Sequence, residues 1–154
     1  NNPQASMLNF VLQELFPPKG KLPKRPLPNL KFDAKALKNG EFIWLGHVSL
    51  ICKLDDKTIV TDPVLHRAFP LPIGGKPFAY EHAITASDYP DVIDIALISH
   101  DHYDHLDHKT ILELKDRICK FLVPLGVKAH LVKWGVDEDK IYEFDWFGEQ
   151  KIGN

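Results

Sequence analysis

The sequence predicts an α/β fold built on one mixed sheet with helices on one face. Three observations predict it. Residues 41–61 read as three short strands in a meander, residues 93–144 alternate strand and helix, and no internal repeat competes with that order. Strands joined by tight turns pair antiparallel, and strands joined through helices pair parallel, so the two stretches together make a mixed sheet.

From the amino end, Ser6 is placed to cap a helix over 7–16, where Leu8, Val11, Leu12 and Leu15 form one apolar stripe. Residues 17–28, PPKGKLPKRPLP, read as an extended arm. Its Lys19, Lys21, Lys24 and Arg25 suit a solvated linker better than a peripheral membrane contact with anionic head groups. The chain thus divides into an arm over 1–28 and a folded unit over 29–154.

Glu41–Leu45 is the first expected strand. Val48–Leu54 is the second, alternating Val48, Leu50, Cys52 and Leu54 with Ser49, Ile51 and Lys53. Asp55-Asp56 makes the turn and Thr58–Thr61 returns. Residues 62–92 hold no clear element but carry Pro63, Pro70, Pro72, Pro77, Pro90 and the aromatics Phe69, Phe78 and Tyr80. Loops of that length are usually functional or disordered, and this one is expected to shape a pocket, with a packed surface Ω-loop as the alternative. Ile93–Ile98 reads as a buried strand. Asp107 can cap a helix over 108–117, Cys119–Val123 is a strand, Gly135 ends a helix over 127–134, and Ile141–Phe144 is the last strand.

Bulk properties exclude several classes. The 154 residues are 44% hydrophobic and 26% charged, which is ordinary for a globular domain. A net charge of −2 gives no electrostatic reason to expect nucleic-acid binding. Cys52 and Cys119 are too few for a disulfide framework, and each is expected to be a small buried hydrophobe. No stretch approaches the ~20 apolar residues of a membrane span. The first residue is Asn rather than Met, so the compartment stays open between cytoplasm and cell envelope.

Chemistry concentrates in His100-Asp101-His102-Tyr103-Asp104-His105. A borderline-soft divalent cation takes this mixture of nitrogen and oxygen donors. The segment follows a buried strand, which can hold ligands accurately. Alternation places His100 and His102 on one side, and Asp104 and His105 turn toward a second point. That pattern suits two adjacent metal ions.

Ile98-Ser99-His100-Asp101-His102-Tyr103-Asp104-His105-Leu106-Asp107 resembles the H-x-H-x-D-H signature of the metallo-β-lactamase superfamily. It is most similar to the branch of N-acyl-phosphatidylethanolamine-hydrolysing phospholipase D. Trp44-Leu45-Gly46-His47, Thr61-Asp62-Pro63, Val123-Pro124-Leu125-Gly126 and Glu143-Phe144-Asp145-Trp146-Phe147 match that branch in the same order. The resemblance implies an αββα sandwich in which His100 and His102 bind a first zinc ion and Asp104 and His105 a second. Iron and manganese suit the same donors. Asp104 would stand at the reaction centre. Asp62 would accept the far N–H of a ligating imidazole. Asp107, by its nearness in sequence, is a second candidate for that task. His47 would face the substrate or back the ligands.

The family also needs a third His, a bridging Asp and a last His, all later in the fold. The chain therefore resembles the N-terminal half of such an enzyme. Its inner sheet face is expected to need a C-terminal half or a second copy as cover, and the half alone to be inactive. The activity implied is metal-dependent hydrolysis of a phosphodiester, such as an N-acyl phospholipid or another small molecule, by a hydroxide shared between two metals. A lactonase is the second enzymatic reading, and a non-catalytic binding or assembly module the reading from another class.

Overall fold

Residues 12, 16, 19, 20, 23–67 and 77–151 are described by a computed structural model. The helix expected over 7–16 lies outside the described residues except for Leu12 and Phe16.

Apolar alternation in the strand segments produces a single six-stranded sheet whose spatial order follows the chain. The strands are β1 (Phe42–Gly46), β2 (Ser49–Leu54), β3 (Lys57–Thr61), β4 (Ile93–Leu97), β5 (Ile118–Pro124) and β6 (Ile141–Phe144). β1, β2 and β3 pair antiparallel, and β3 to β6 pair parallel. The mixed sheet is as expected. Asp55 and Asp56 close the β2–β3 hairpin with φ of 46° and 59°. Positive φ at both central residues is what a two-residue turn needs to match strand twist, and Asp tolerates it.

Helices α1 (His108–Leu114) and α2 (Val127–Lys133) follow β4 and β5. Asp107 caps α1 by accepting from the Lys109 N–H at 3.2 Å. α1 ends at Leu114, three residues before the expected 117, because Arg117 N–H bonds back to the Leu114 carbonyl and turns the chain into β5. Gly135 ends α2 with φ of 80°.

Ile111, Leu114 and Leu131 from the helices meet Ile51, Val60, Ala96 and Phe121 from the sheet, and all seven are fully buried. Burial of each larger side chain contributes about 1.5–3 kcal/mol. The other sheet face is different. Trp44, Leu50, Thr61, Leu97, Leu122 and Tyr142 stand in register across all six strands. Trp44 is 65% exposed. Among the described residues no helix covers this row.

Two expectations need correction. Cys119 is exposed rather than buried. β6 pairs with β5 only from Phe121 onward, so Cys119 has a strand neighbour on one side alone. The arm is also not a free linker throughout. Leu27 bridges Tyr80, and Asn29 exchanges two hydrogen bonds with the backbone of His82. The end of the arm is thereby tied to the loop before β4.

Candidate metal centre

The strand directions decide where chemistry collects. β1, β3, β4, β5 and β6 all run the same way, so their carboxyl ends lie along one edge of the sheet. His47 follows β1, Asp62 follows β3, and Ser99 to His105 follow β4. Residues far apart in sequence therefore meet at one rim, the usual place for a site in an open α/β sheet.

Backbone conformation aims two of them. His47 and Asp62 have φ of 49° and 36°. Non-glycine residues in this region are uncommon and concentrate where a side chain must leave a strand end at an unusual angle. Gly46 precedes His47 with φ of 107°, and a Cβ there would run into the Tyr80 hydroxyl. Glycine is thus required by both conformation and space.

The side chains form two adjoining groups. His100 Nε2 lies 3.0 Å from His102 Nδ1. His47 Nε2 lies 3.2 Å from His105 Nε2 and 3.5 Å from Asp104 Oδ2. The donor atoms of His47, Asp104 and His105 all fall within 4.8 Å of one another. The His100 and His105 rings join the two groups, with centroids 3.9 Å apart. Ring nitrogens pointed at ring nitrogens, with a carboxylate beside them, are a donor set that fits a divalent cation.

Asp62 stands behind this cluster and is buried. Its Oδ1 accepts the Ser99 backbone N–H at 2.7 Å, and its Oδ2 accepts the Ser99 hydroxyl at 2.6 Å. Oδ2 also lies 2.9 Å from His105 Nδ1. A carboxylate only accepts, so the His105 Nδ1 carries a hydrogen, and the neutral ring presents its Nε2 lone pair to the cluster.

Asp107 does not share this work. Its Oδ2 accepts from the His66 N–H at 2.9 Å and the Thr110 hydroxyl at 2.6 Å, and its Oδ1 accepts from Lys109 N–H. Capping α1 and anchoring the start of the long loop use its lone pairs, and no described bond of Asp107 reaches an imidazole. His47, expected to stand behind the ligands or face the substrate, brings its Nε2 beside the donor atoms of Asp104 and His105 and also lines the adjoining cavity. Ser99 was overlooked by sequence reasoning. Its position directly before the first histidine was the available signal.

A cavity of about 850 Å³ opens beside His47 and Asp104. Leu45, Leu65, Phe78 and Ile84 give it apolar walls, and Arg67 and Lys109 line it with positive charge. Pro77 to Tyr80 and Val64 to Arg67 come from the loop expected to shape a pocket.

Among the described residues no helix is long and apolar enough to cross a membrane.

Known proteins place this rim in context. The profile of the Beta-lactamase superfamily domain matches residues 57–154. An uncharacterized protein of Mycobacterium tuberculosis is 41% identical over 105 residues, which is 67% of this chain and 28% of that protein. The N-acyl-phosphatidylethanolamine-hydrolyzing phospholipase D 1 of Caenorhabditis elegans is 36% identical over 129 residues, 79% of this chain and 36% of that protein. The crystal structure of CmlA, a diiron β-hydroxylase from Streptomyces venezuelae, superposes with a TM-score of 0.57 at 27% identity, covering 71% of this chain and 21% of that one. The chain spans only about a third or less of the length of these relatives. With its mixed sheet, its helices on one face and its histidine-rich rim, the chain belongs to the beta-lactamase superfamily and has part of the metallo-β-lactamase fold.

Proposed function

We propose that the intact protein is a metal-dependent hydrolase of phosphodiesters. The observation that carries this reading is the meeting of His47, His100, His102, Asp104 and His105 at one rim, with facing nitrogens 3.0 and 3.2 Å apart. His100, His102, Asp104 and His105 would hold the metal, with zinc, iron and manganese all suited to the donors. When bound, such ions supply Lewis-acid chemistry, making water nucleophilic near neutral pH and offsetting charge at the attacked group.

The chain's own residues do the rest. Asp62 holds the His105 ring in one orientation. Asp104 places a negative charge beside His47 and His105 at the mouth of the cavity. Arg67 and Lys109 line that cavity and suit an anionic head group, while Leu65, Phe78 and Ile84 suit an apolar chain. The likeness to a relative whose name describes hydrolysis of an N-acyl phospholipid supports this substrate class.

The test is metal analysis of the purified intact protein, joined to assays on bis-(p-nitrophenyl) phosphate, an N-acyl phosphatidylethanolamine and a lactone. About two metal ions per protein and turnover of the phosphodiesters are expected. Turnover of the lactone alone would replace this reading with a lactonase. A metal-free, inactive protein would leave a binding module. The likeness to a diiron β-hydroxylase favours one further reading, oxidative chemistry at iron. Substrate-dependent oxygen consumption by the iron-loaded protein would establish it.

A further inference from the structure

We infer that Ser99 is a positioning residue that sets the tautomer of His100, so that one buried carboxylate, Asp62, orients both His100 and His105. The inference deepens the proposed metal site and rests on that reading for its role, though not for its geometry.

With both imidazoles neutral, only one placement of the hydrogens satisfies these contacts. Ser99 Oγ lies 2.6 Å from Asp62 Oδ2, within the range of a hydroxyl donating to a carboxylate. Two acceptors at that separation would repel, so the single hydroxyl hydrogen points to Asp62. The Ser99 oxygen then has only lone pairs left. His100 Nδ1 lies 2.9 Å away, so it must donate an N–H to that oxygen. His100 Nε2 is left with its lone pair, facing His102 Nδ1 at 3.0 Å. His105 reaches the same result by a direct route, with its Nδ1 2.9 Å from Asp62 Oδ2 and 3.1 Å from Ser99 Oγ.

The arrangement is anchored from behind. The Ser99 backbone N–H bonds the other Asp62 oxygen at 2.7 Å. The Asp62 carbonyl accepts the buried Ser49 hydroxyl from β2, and the Asp62 N–H donates to the Leu97 carbonyl at 2.9 Å. The carboxylate therefore cannot swing to follow a loosened ring. Side chains that hold a ligating imidazole by its far nitrogen typically change metal affinity 10- to 100-fold when removed. Here one carboxylate reaches two imidazoles, one directly and one through a hydroxyl.

The test measures ring tautomers by ¹⁵N NMR in the metal-free intact protein, with Ser99→Ala and Ser99→Thr as variants. Wild type should show His100 and His105 both as Nδ1–H. Ser99→Ala should return His100 to the Nε2–H form that free imidazole prefers and leave His105 unchanged. Ser99→Thr, which keeps the hydroxyl, should restore the wild-type pattern. Titration with zinc alone should show affinity lowered about 10- to 100-fold in Ser99→Ala and restored in Ser99→Thr. Nε2–H at His100 in wild type, or an unchanged His100 in Ser99→Ala, would overturn the inference. Correct tautomers in a protein that binds no metal would uphold the relay and defeat the proposed function instead.

Discussion

His47 and His105 stand 58 positions apart in the chain, and their Nε2 atoms lie 3.2 Å apart. With its Nδ1–H on Asp62, a neutral His105 turns its Nε2 lone pair to His47, which then supplies the hydrogen between them. His47 also lines the cavity, which places it between that cavity and the side chains proposed to hold the metal. Substitution should separate these tasks. His102→Ala and Asp104→Ala are expected to lose bound metal. His47→Ala is expected to keep the metal count of the intact protein and to lower turnover. Elemental analysis beside the phosphodiester assay reads both. Zinc at a hundred times its dissociation constant should stabilise the wild type by about 2.7 kcal/mol, seen as a raised melting temperature.

Gly46 and Tyr80 are a second coupled pair. Gly46→Ala adds a Cβ where the backbone has φ of 107° and where the Tyr80 hydroxyl already lies. The expected loss is about 1–3 kcal/mol from backbone strain, with a steric cost added to it. Tyr80→Phe in the same chain should recover the steric part and leave the strain. A double-mutant cycle by urea denaturation measures the coupling. Strictly additive losses would show that the hydroxyl is not the obstacle.

Acid should remove one small contribution to stability. Lys35 Nζ lies 2.7 Å from Asp91 Oδ2, and this hydrogen bond and charge hold the Asp91 carboxyl below its ordinary range. A lowered folded value means the contribution is complete above the ordinary carboxylate range and is lost as pH falls through the lowered value. Both side chains are mostly exposed, so the effect is small and screened by salt. Asp91→Asn is expected to melt below wild type at neutral pH and low salt. The gap should close in acid and at about 1 M salt. A gap that widens on acidification would contradict the pairing.

The uncovered row from Trp44 to Tyr142 makes a prediction about assembly. Trp44, Leu97 and Tyr142 of this row are exposed, and exposed apolar side chains gathered on one sheet face mark an interface or an aggregation hazard. Residues 1–154 alone are expected not to sediment as a single stable monomer, because that face leaves apolar side chains open to water. Leu97→Lys with Leu122→Lys should reduce self-association. A monodisperse wild-type monomer in the ultracentrifuge would refute the expectation.

Much of this arrangement is legible in the sequence itself. Alternation in Val48–Leu54 and the apolar run Ile93–Ile98 announced the strands, but in β2 the buried side chains are Ser49 and Ile51, while Val48 and Leu54 are exposed. The spacing from His100 to His105 announced metal chemistry because few other demands gather three imidazoles and a carboxylate. What stayed hidden depended on three-dimensional register. His47 reaches the donors because β1 ends on the same rim as β4 and because its backbone takes a positive φ. Asp107 looked equal to Asp62 in sequence, yet the N–H groups of His66 and Lys109 and the Thr110 hydroxyl claimed it first. Cys119 sits in an apolar run, but its exposure depends on where β6 begins.

Strand order in the sheet matches strand order in the chain. No later strand has to be inserted between two earlier ones. As the polypeptide leaves the ribosome, each strand can add to the edge of what is already assembled, since domains tend to organise from the amino end during synthesis. His47, Asp62 and the segment from Ser99 to His105 all emerge before β5 begins, so the rim can gather its imidazoles before β5, α2 and β6 have joined the sheet.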